Sequence, residues 1–590
     1  MKKRPRPVRD SAHAEQGAIV KTGKELTRVA LVYPNTYRTG MSNLGFQRVY
    51  QLANQQETIA CERVFLPDPG QAETPVRSCE SGLSLDRFDI ILFSISFEND
   101  FIHILHLLES TGIPLRSSDR NHTHPLVAAG GVACFINPEP IAPFMDFFLL
   151  GEAECLVPQF FSQFYAKNNR SDLLASLEKK VPGAYVPARH PPILYASSDP
   201  LRTVAPHQQP FFPKIRPRYL KNLDHVQTHT CVLTPGTAFN DKFLVEILKG
   251  CPHGCRFCTA GFIYRPPRIY PGETIFAAMD KARGKTDKIG LVSSAILDHP
   301  DIAAICRYGE KNGFSLSFSS LRADKLDDRM IDLLAQSRVK TATIAPEAGS
   351  ERMRHIINKK MSEQNILCAV EKLVEKKILN LRLYFMIGLP FETDEDIEAI
   401  VKLTQKIKER FLAASRKKGR MGTITLSINA FVPKPFTPFQ WAAMADKTTL
   451  GHRANIIRKG LRKTPNITVN IASVKNAGIS ALLSLGDRNA ADVLETACHH
   501  GWARALREHR TYFRQVVYTR KDVPGSTQFV DDDPSPAVPL PWYILDQHIS
   551  ERFLAKEWHT AQQEKQSASC PMTDCRNCRV CTHQTNKGQA

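Results

Sequence analysis

Lys242 to Cys258 reads K-F-L-V-E-I-L-K-G-C-P-H-G-C-R-F-C. Its first half is a short apolar run closed by glycine, the pattern of a buried strand that ends in a turn. Its second half places Cys251, Cys255 and Cys258 within eight residues of loop. Three thiolates this close select a soft metal centre: an iron–sulfur cluster, zinc or copper(I). A closed structural zinc site takes four protein ligands, and this loop supplies three. Three cysteines on a cube of four irons leave one iron open.

The strand–helix alternation continues downstream. K-I-G-L-V-S-S (288–294), S-L-S-F-S-S-L-R (315–322), T-A-T-I-A-P-E (341–347), L-R-L-Y-F-M-I-G-L-P (381–390) and T-I-T-L-S-I-N-A-F-V-P (423–433) are apolar runs with amphipathic stretches between them. Six strands at this spacing predict a partial (β/α)6 TIM-type barrel over residues 241–445, with functional residues on the loops after the strands. Upstream, R-V-A-L-V-Y-P, C-E-R-V-F-L-P, F-D-I-I-L-F-S-I-S-F, P-L-V-A-A-G-G and M-D-F-F-L-L-G-E-A-E alternate with helical stretches. They predict an N-terminal doubly wound, Rossmann-like parallel sheet over 26–167, so the fold class is α/β. Residues 1–25 are basic and expected to be disordered. Residues 168–240 are proline-rich and read as a connecting segment with some strand and no long helix. Residues 446–565 read as mainly helical, and 566–590 as a cysteine-rich tail.

The C-x3-C-x2-C spacing, the aromatic Phe257 before the last cysteine and the place after a barrel strand resemble the radical S-adenosylmethionine (SAM) superfamily. The resemblance implies a 4Fe-4S cluster on Cys251, Cys255 and Cys258, with SAM chelating the open iron. One electron from a flavodoxin- or ferredoxin-type partner then releases a 5′-deoxyadenosyl radical. Y-F-M-I-G-L-P-F-E-T-D-E-D (384–396) resembles the family's fifth-strand motif, which would bring Ile387 and Gly388 against the adenine. Ser293 and Ser294 stand where the family usually has a Gly-Gly-Glu-like stretch, a departure. Ser320 and Arg322 resemble contacts to the ribose or carboxylate. Glu347, in A-P-E-A-G-S-E-R, points at the same ligand, and Ser350 can instead serve as a helix N-cap.

The first domain resembles the cobalamin-binding domain that precedes many such cores. The residues carrying this are G-G-V-A-C-F-I-N-P-E-P, with Gly130 and Gly131, and D-F-F-L-L-G-E-A-E. In that family the glycine pair lets a nucleotide tail lie on the backbone. The D-x-H-x-x-G loop that ligates cobalt is absent, and the corresponding turn reads P-N-T-Y-R-T-G (34–40). The resemblance therefore leaves two readings: cobalamin held without a protein histidine, or a domain that has lost the cofactor. With F-V-P-K-P-F-T-P-F-Q-W (431–441), the layout is similar to fused radical enzymes with a cysteine-rich C-terminus. It also resembles tRNA methylthiotransferases, but lacks their three N-terminal cluster cysteines and their RNA-binding β-barrel.

Of the 15 cysteines, eight are scattered singly and read as buried, inert thiols. The tail brings together Cys570, Cys575, Cys578 and Cys581 in C-P-M-T-D-C-R-N-C-R-V-C. Disulfides are not expected in a reducing cytoplasm. The C-x2-C-x2-C run resembles ferredoxin-type ligation and predicts a second iron–sulfur cluster, with zinc or a mobile unligated tail as the alternatives. The N-terminus carries no secretory pattern and no apolar run spans a bilayer, so the expectation is a cytoplasmic protein without membrane contact. The net charge of +19 favours a polyanionic partner, RNA above all. The sequence thus predicts a radical SAM enzyme that modifies RNA by methyl or methylthio transfer. A small-molecule or peptide substrate and a non-catalytic, SAM- or cobalamin-responsive binding protein are the alternatives. Oligomeric state is not encoded legibly.

Overall fold

The computed structural model describes residues 15–70, 74–164, 169–195, 214–337, 339–416, 422–519, 521, 523, 540–572, 575 and 577–581. Its first sheet has strands β1 (Thr27–Thr36), β2 (Ile59–Leu66), β3 (Ile90–Ser94), β4 (Leu126–Gly130), β5 (Phe147–Leu149) and β6 (Ala184–Tyr185). They lie in the order β2-β1-β3-β4-β5-β6, the first five parallel and β6 antiparallel at the edge. The near-unbroken burial of β1, β2 and β3 explains their apolar runs: helices cover both faces, so neither can be polar. The connection from β1 to β2 runs through α1 (Leu44–Asn54), and that from β3 to β4 through α2 (Phe101–Ser110). β2 lies on one side of β1 and β3 to β5 on the other, so the strand order reverses at β1, where a crevice opens at the C-terminal strand ends.

The region 168–240 is more structured than its composition predicts. After α3 (Ala153–Gln163), a helix α4 (Arg170–Lys180) starts at Asn169, whose side chain accepts from the Ser171 amide. Only Leu173 and Leu177 of α4 are buried, too thin an apolar stripe to stand out in sequence. Residues 196–213 of the connecting segment lie outside the described residues. The expected disorder of residues 1–25 also needs correction. Glu15 pairs with buried Arg63 at 2.7 Å, and Gln16 bridges Leu233. Residues 1–14 lie outside the described set.

The second half opens with β7 (Phe243–Glu246) and β8 (Leu248–Lys249), which pairs with β9 (Arg268–Ile269). It continues through β10 (Lys288–Val292), β11 (Ser315–Ser317), β12 (Thr341–Glu347), β13 (Asn380–Ile387) and β14 (Thr423–Ala430). Two parallel sheets result, β11-β10-β7 and β12-β13-β14 with β15 (Ile467–Ile471) beyond β14, joined by a parallel bridge between Leu321 and Ile344. This is an open, barrel-like wall. The added strand β15 lies within the region read as helical, parallel to β14. Helices α5 (Gly272–Asp280), α6 (Ile302–Lys311), α7 (Asp328–Gln336), α8 (Glu351–Ile356), α9 (Glu363–Glu375) and α10 (Asp394–Arg416) connect the wall. Then come α11 (Lys447–Leu461), α12 (Val474–Leu485), α13 (Ala490–Glu508), α14 (Arg510–Tyr518) and α15 (Glu551–Gln562). Among the described residues no helix is long and apolar enough to cross a membrane.

Buried ion pairs fasten the halves together. Arg268 holds Glu152 at 2.7 Å, Lys434 holds Glu98 at 2.6 Å, and Arg488 holds Glu139 at 2.9 Å. Asn137 donates to the Ser484 and Gly486 carbonyls. The C-terminal strand ends of both sheets consequently face each other.

Candidate active site

Cys251, Cys255 and Cys258 sit on the turn after β8, where the sequence placed them. Cys255 is buried and the other two are half-buried. Each thiol lies within electrostatic reach of a neighbour, Cys251 feeling Cys255 and Cys258. Burial, and then the neighbouring thiols, push Cys251 up to about 12 and Cys258 up to about 11. Such thiols stay protonated unless a metal takes them as thiolates. Among the described residues no three His, Cys, Asp or Glu side chains gather tightly enough for a single metal ion. A cube spreads its cysteines over different irons, a wider set than one ion needs, so three thiols within electrostatic reach of one another fit it. Bound there, the cluster supplies the electron that cleaves the sulfonium of SAM.

The loop owes its shape to Arg256, which is fully buried. Its guanidinium pairs with Glu557 at 3.0 Å and donates to the carbonyls of His355, Ile356 and Lys565 and to Ser567 Oγ. His253 meets Asp298 at 2.8 Å, tying the loop to the turn after β10. Asn358 donates to the Gly254 carbonyl. Arg322, Lys359 and Lys360 all lie within electrostatic reach of Cys255. Lys359 is buried and holds Glu347 at 3.2 Å. Glu347 takes φ +68° where the β12–β13 register shifts, an uncommon conformation for a residue with a Cβ. Burial pushes its carboxyl up while Lys359 opposes the rise. Arg322 is in turn paired with Asp324 at 3.0 Å, so the cradle around the cysteine loop is built of paired charges. Sequence reasoning found Arg322 and Glu347 but missed Arg256, Lys359 and Lys360, which no motif marks.

A cavity of about 600 Å³ opens between the two sets of strand ends. One wall is Ser94, Gly130, Gly131 and Gly151, and the other is Glu246, Lys249, Gly250 and Ser293–Ser294. It reaches the residue before Cys251. Gly130, Gly131, Ser293 and Ser294 therefore line one space. The glycine pair has a second reason to exist. Gly131 has φ +101°, and a Cβ there would stand 2.4 Å from the Ile95 carbonyl oxygen. The chain's own packing already demands glycine.

The remaining predicted residues stand apart from this lining. Ser320 is exposed. Ile387 is buried at the end of β13. Gly388 takes φ +82°, packs against Leu450 and donates its amide to Glu392 at 2.6 Å. Ser350 caps α8 by accepting from the Met353 amide. In the P-N-T-Y-R-T-G turn, Tyr37 is buried and hydrogen-bonded to Thr234 and Glu15. No histidine is among the residues lining the cavity. All 15 cysteines are free of disulfides. Burial raises the scattered thiols Cys61, Cys79, Cys134, Cys155, Cys231, Cys306 and Cys498, in keeping with inert core residues.

The chain is similar to known proteins. Residues 45–187 match the family described as radical SAM proteins, N-terminal, and residues 245–404 match the radical SAM superfamily. Uncharacterized protein MJ0966 of Methanocaldococcus jannaschii is 30% identical over 479 residues, 80% of this chain and 91% of that one. Ribosomal protein uS12 methylthiotransferase RimO of Thermodesulfovibrio yellowstonii is 21% identical over 209 residues, 32% of this chain and 48% of that one. Among solved structures, the radical SAM methyltransferase TsrM from Kitasatospora setae, with cobalamin and a [4Fe-4S] cluster bound, superposes with a TM-score of 0.47. It is 11% identical and covers 82% of this chain and 99% of that one. The cysteine loop, the cradle around it and the two matched families together make this chain a member of the radical SAM superfamily, an enzyme that uses a 4Fe-4S cluster and S-adenosyl-L-methionine.

Proposed function

We propose that this enzyme works in the cytoplasm and transfers a methyl or methylthio group to RNA, drawing electrons from a flavodoxin- or ferredoxin-type donor. The observation that carries the RNA reading is the charge of the C-terminal surface. Between Lys447 and Thr519 stand twelve Lys and Arg against four Asp and Glu. Ten of those cations are exposed, against two of the acids. A surface of this kind concentrates a polyanion. Comparing modified nucleosides in RNA from cells with and without the gene tests the reading. Loss of one methylated or methylthiolated nucleoside supports it. An unchanged RNA profile with a changed metabolite or peptide moves the substrate to the alternative classes. A sensor would form no 5′-deoxyadenosine with SAM and dithionite.

Salt offers a direct check. If the basic surface neutralises six or more phosphates, RNA affinity falls roughly a thousandfold between about 50 and about 200 mM salt. Filter binding across that range measures it, and a flat profile removes the charge argument.

The group-transfer reading is supported by the shared cavity, whose first wall is the crevice edge of the cobalamin-binding-like domain. Gly130 and Gly131 line that wall, and a corrinoid bound against them would supply a methyl carrier. The expected outcome is cobalamin held with no protein imidazole on cobalt. Electron paramagnetic resonance of cob(II)alamin-loaded protein checks this through the absence of nitrogen hyperfine splitting from histidine; its presence would contradict the assignment.

A further inference from the structure

The segment leaving α15 is stitched onto the cysteine loop residue by residue. Arg256 donates to the Lys565 carbonyl at 3.0 Å and to Ser567 Oγ at 2.8 Å. The Ser567 amide donates to Asn358, whose own amide nitrogen holds the Gly254 carbonyl. Lys360 reaches Ser569 Oγ at 3.2 Å. The Cys570 amide donates to the Pro252 carbonyl at 2.8 Å. Cys570 is thus one backbone hydrogen bond from the residue that follows Cys251. Arg265 lies within electrostatic reach of Cys570, and a Cβ at Gly254 would sit 3.3 Å from its guanidinium.

Beyond Cys570 the described tail residues meet the start of α15. The Ser550 amide holds the Cys578 carbonyl at 3.1 Å. Cys578 is 3% and Cys581 6% exposed. Cys570 and Cys581 each lie within electrostatic reach of the other three tail thiols or two of them. A dozen residues cannot bury an apolar core of their own, and these four cysteines form no disulfide. Metal ligation supplies the missing ordering energy in such segments. The C-x4-C-x2-C-x2-C spacing lacks the longer loop between ligand pairs that a structural zinc usually takes.

We infer that Cys570, Cys575, Cys578 and Cys581 hold a second 4Fe-4S cluster, docked on the catalytic loop, that relays electrons to the catalytic cluster. Four protein ligands leave no open iron, so SAM has no place there. The step is electron transfer alone. A low-potential one-electron donor of the ferredoxin or flavodoxin class is oxidised as the tail cluster goes from 2+ to 1+. That electron then reduces the catalytic cluster and returns the tail cluster to 2+, with no bond formed or broken.

The inference requires the radical SAM centre but not the RNA substrate, and its test uses no RNA. Full-length protein is reconstituted anaerobically, beside C251A/C255A/C258A and C575S/C578S variants. Iron and sulfide should each be about eight per chain in the parent and about four in each variant. A metal-free triple variant, or one zinc in place of the four irons, overturns the assignment. Reduced parent protein should give a paramagnetic signal broadened by coupling of two spins, where each variant gives one sharp signal. A parent spectrum equal to the sum of the variants overturns the docking. In C575S/C578S the ratio of flavodoxin-driven to dithionite-driven 5′-deoxyadenosine formation should fall about tenfold; an unchanged ratio overturns the relay. Circular dichroism checks folding. If the double variant unfolds, C575S alone, at a half-buried position, carries the same readings.

Discussion

Alanine at Cys251, Cys255 or Cys258 should lower 5′-deoxyadenosine formation by three orders of magnitude or more, roughly to background. Three protein ligands are the fewest that hold a cube while leaving one iron for the cosubstrate. With two, the cluster is lost or its open iron is no longer defined. Cys570 is tied by its backbone to Pro252 and lies within electrostatic reach of Cys575 and Cys578. Anaerobic reconstitution with SAM and dithionite, followed by chromatography of the nucleoside, measures the effect. Parent-level product from any of the three variants would mean that the catalytic cluster lies elsewhere.

Arg256→Met should destabilise the fold by about 3–5 kcal/mol. The guanidinium is fully buried and gives five contacts, among them the ion pair with Glu557. Methionine matches much of its length but leaves a buried carboxylate and three carbonyls short of a partner. Urea unfolding of the reconstituted protein measures the loss. Glu557→Gln in the same chain should return part of it, because the uncompensated charge is then gone. A single-variant loss under about 1 kcal/mol would show that Arg256 does not hold the loop to α15. Iron content is the second readout, and it should fall with the loop's order.

Much of this architecture could be read along the chain. Strands such as Val29–Tyr33 and Ile90–Phe93 are covered on both faces, so their residues are continuously apolar and stand out. The cysteine loop was legible for a chemical reason: one centre needs its ligands close, and three of them fall within eight residues. β15 was not legible, because Ile467, Val469 and Ile471 make a short half-buried alternation between two helices. α4 was hidden by its two buried leucines within a proline-rich stretch.

The fold class, the order of the two α/β halves and the cysteine loop were legible along the chain. These follow from local signals: hydrophobic period, turn residues and ligand spacing. Folding alone brings Lys359 and Lys360 within electrostatic reach of Cys255, Arg256 onto Glu557 of α15, and Cys570 onto Pro252. Arg256 and Glu557 are separated by 301 positions, and Cys570 and Pro252 by more still. A buried charge finds its partner through packing of whole elements, and no spacing along the chain records that meeting.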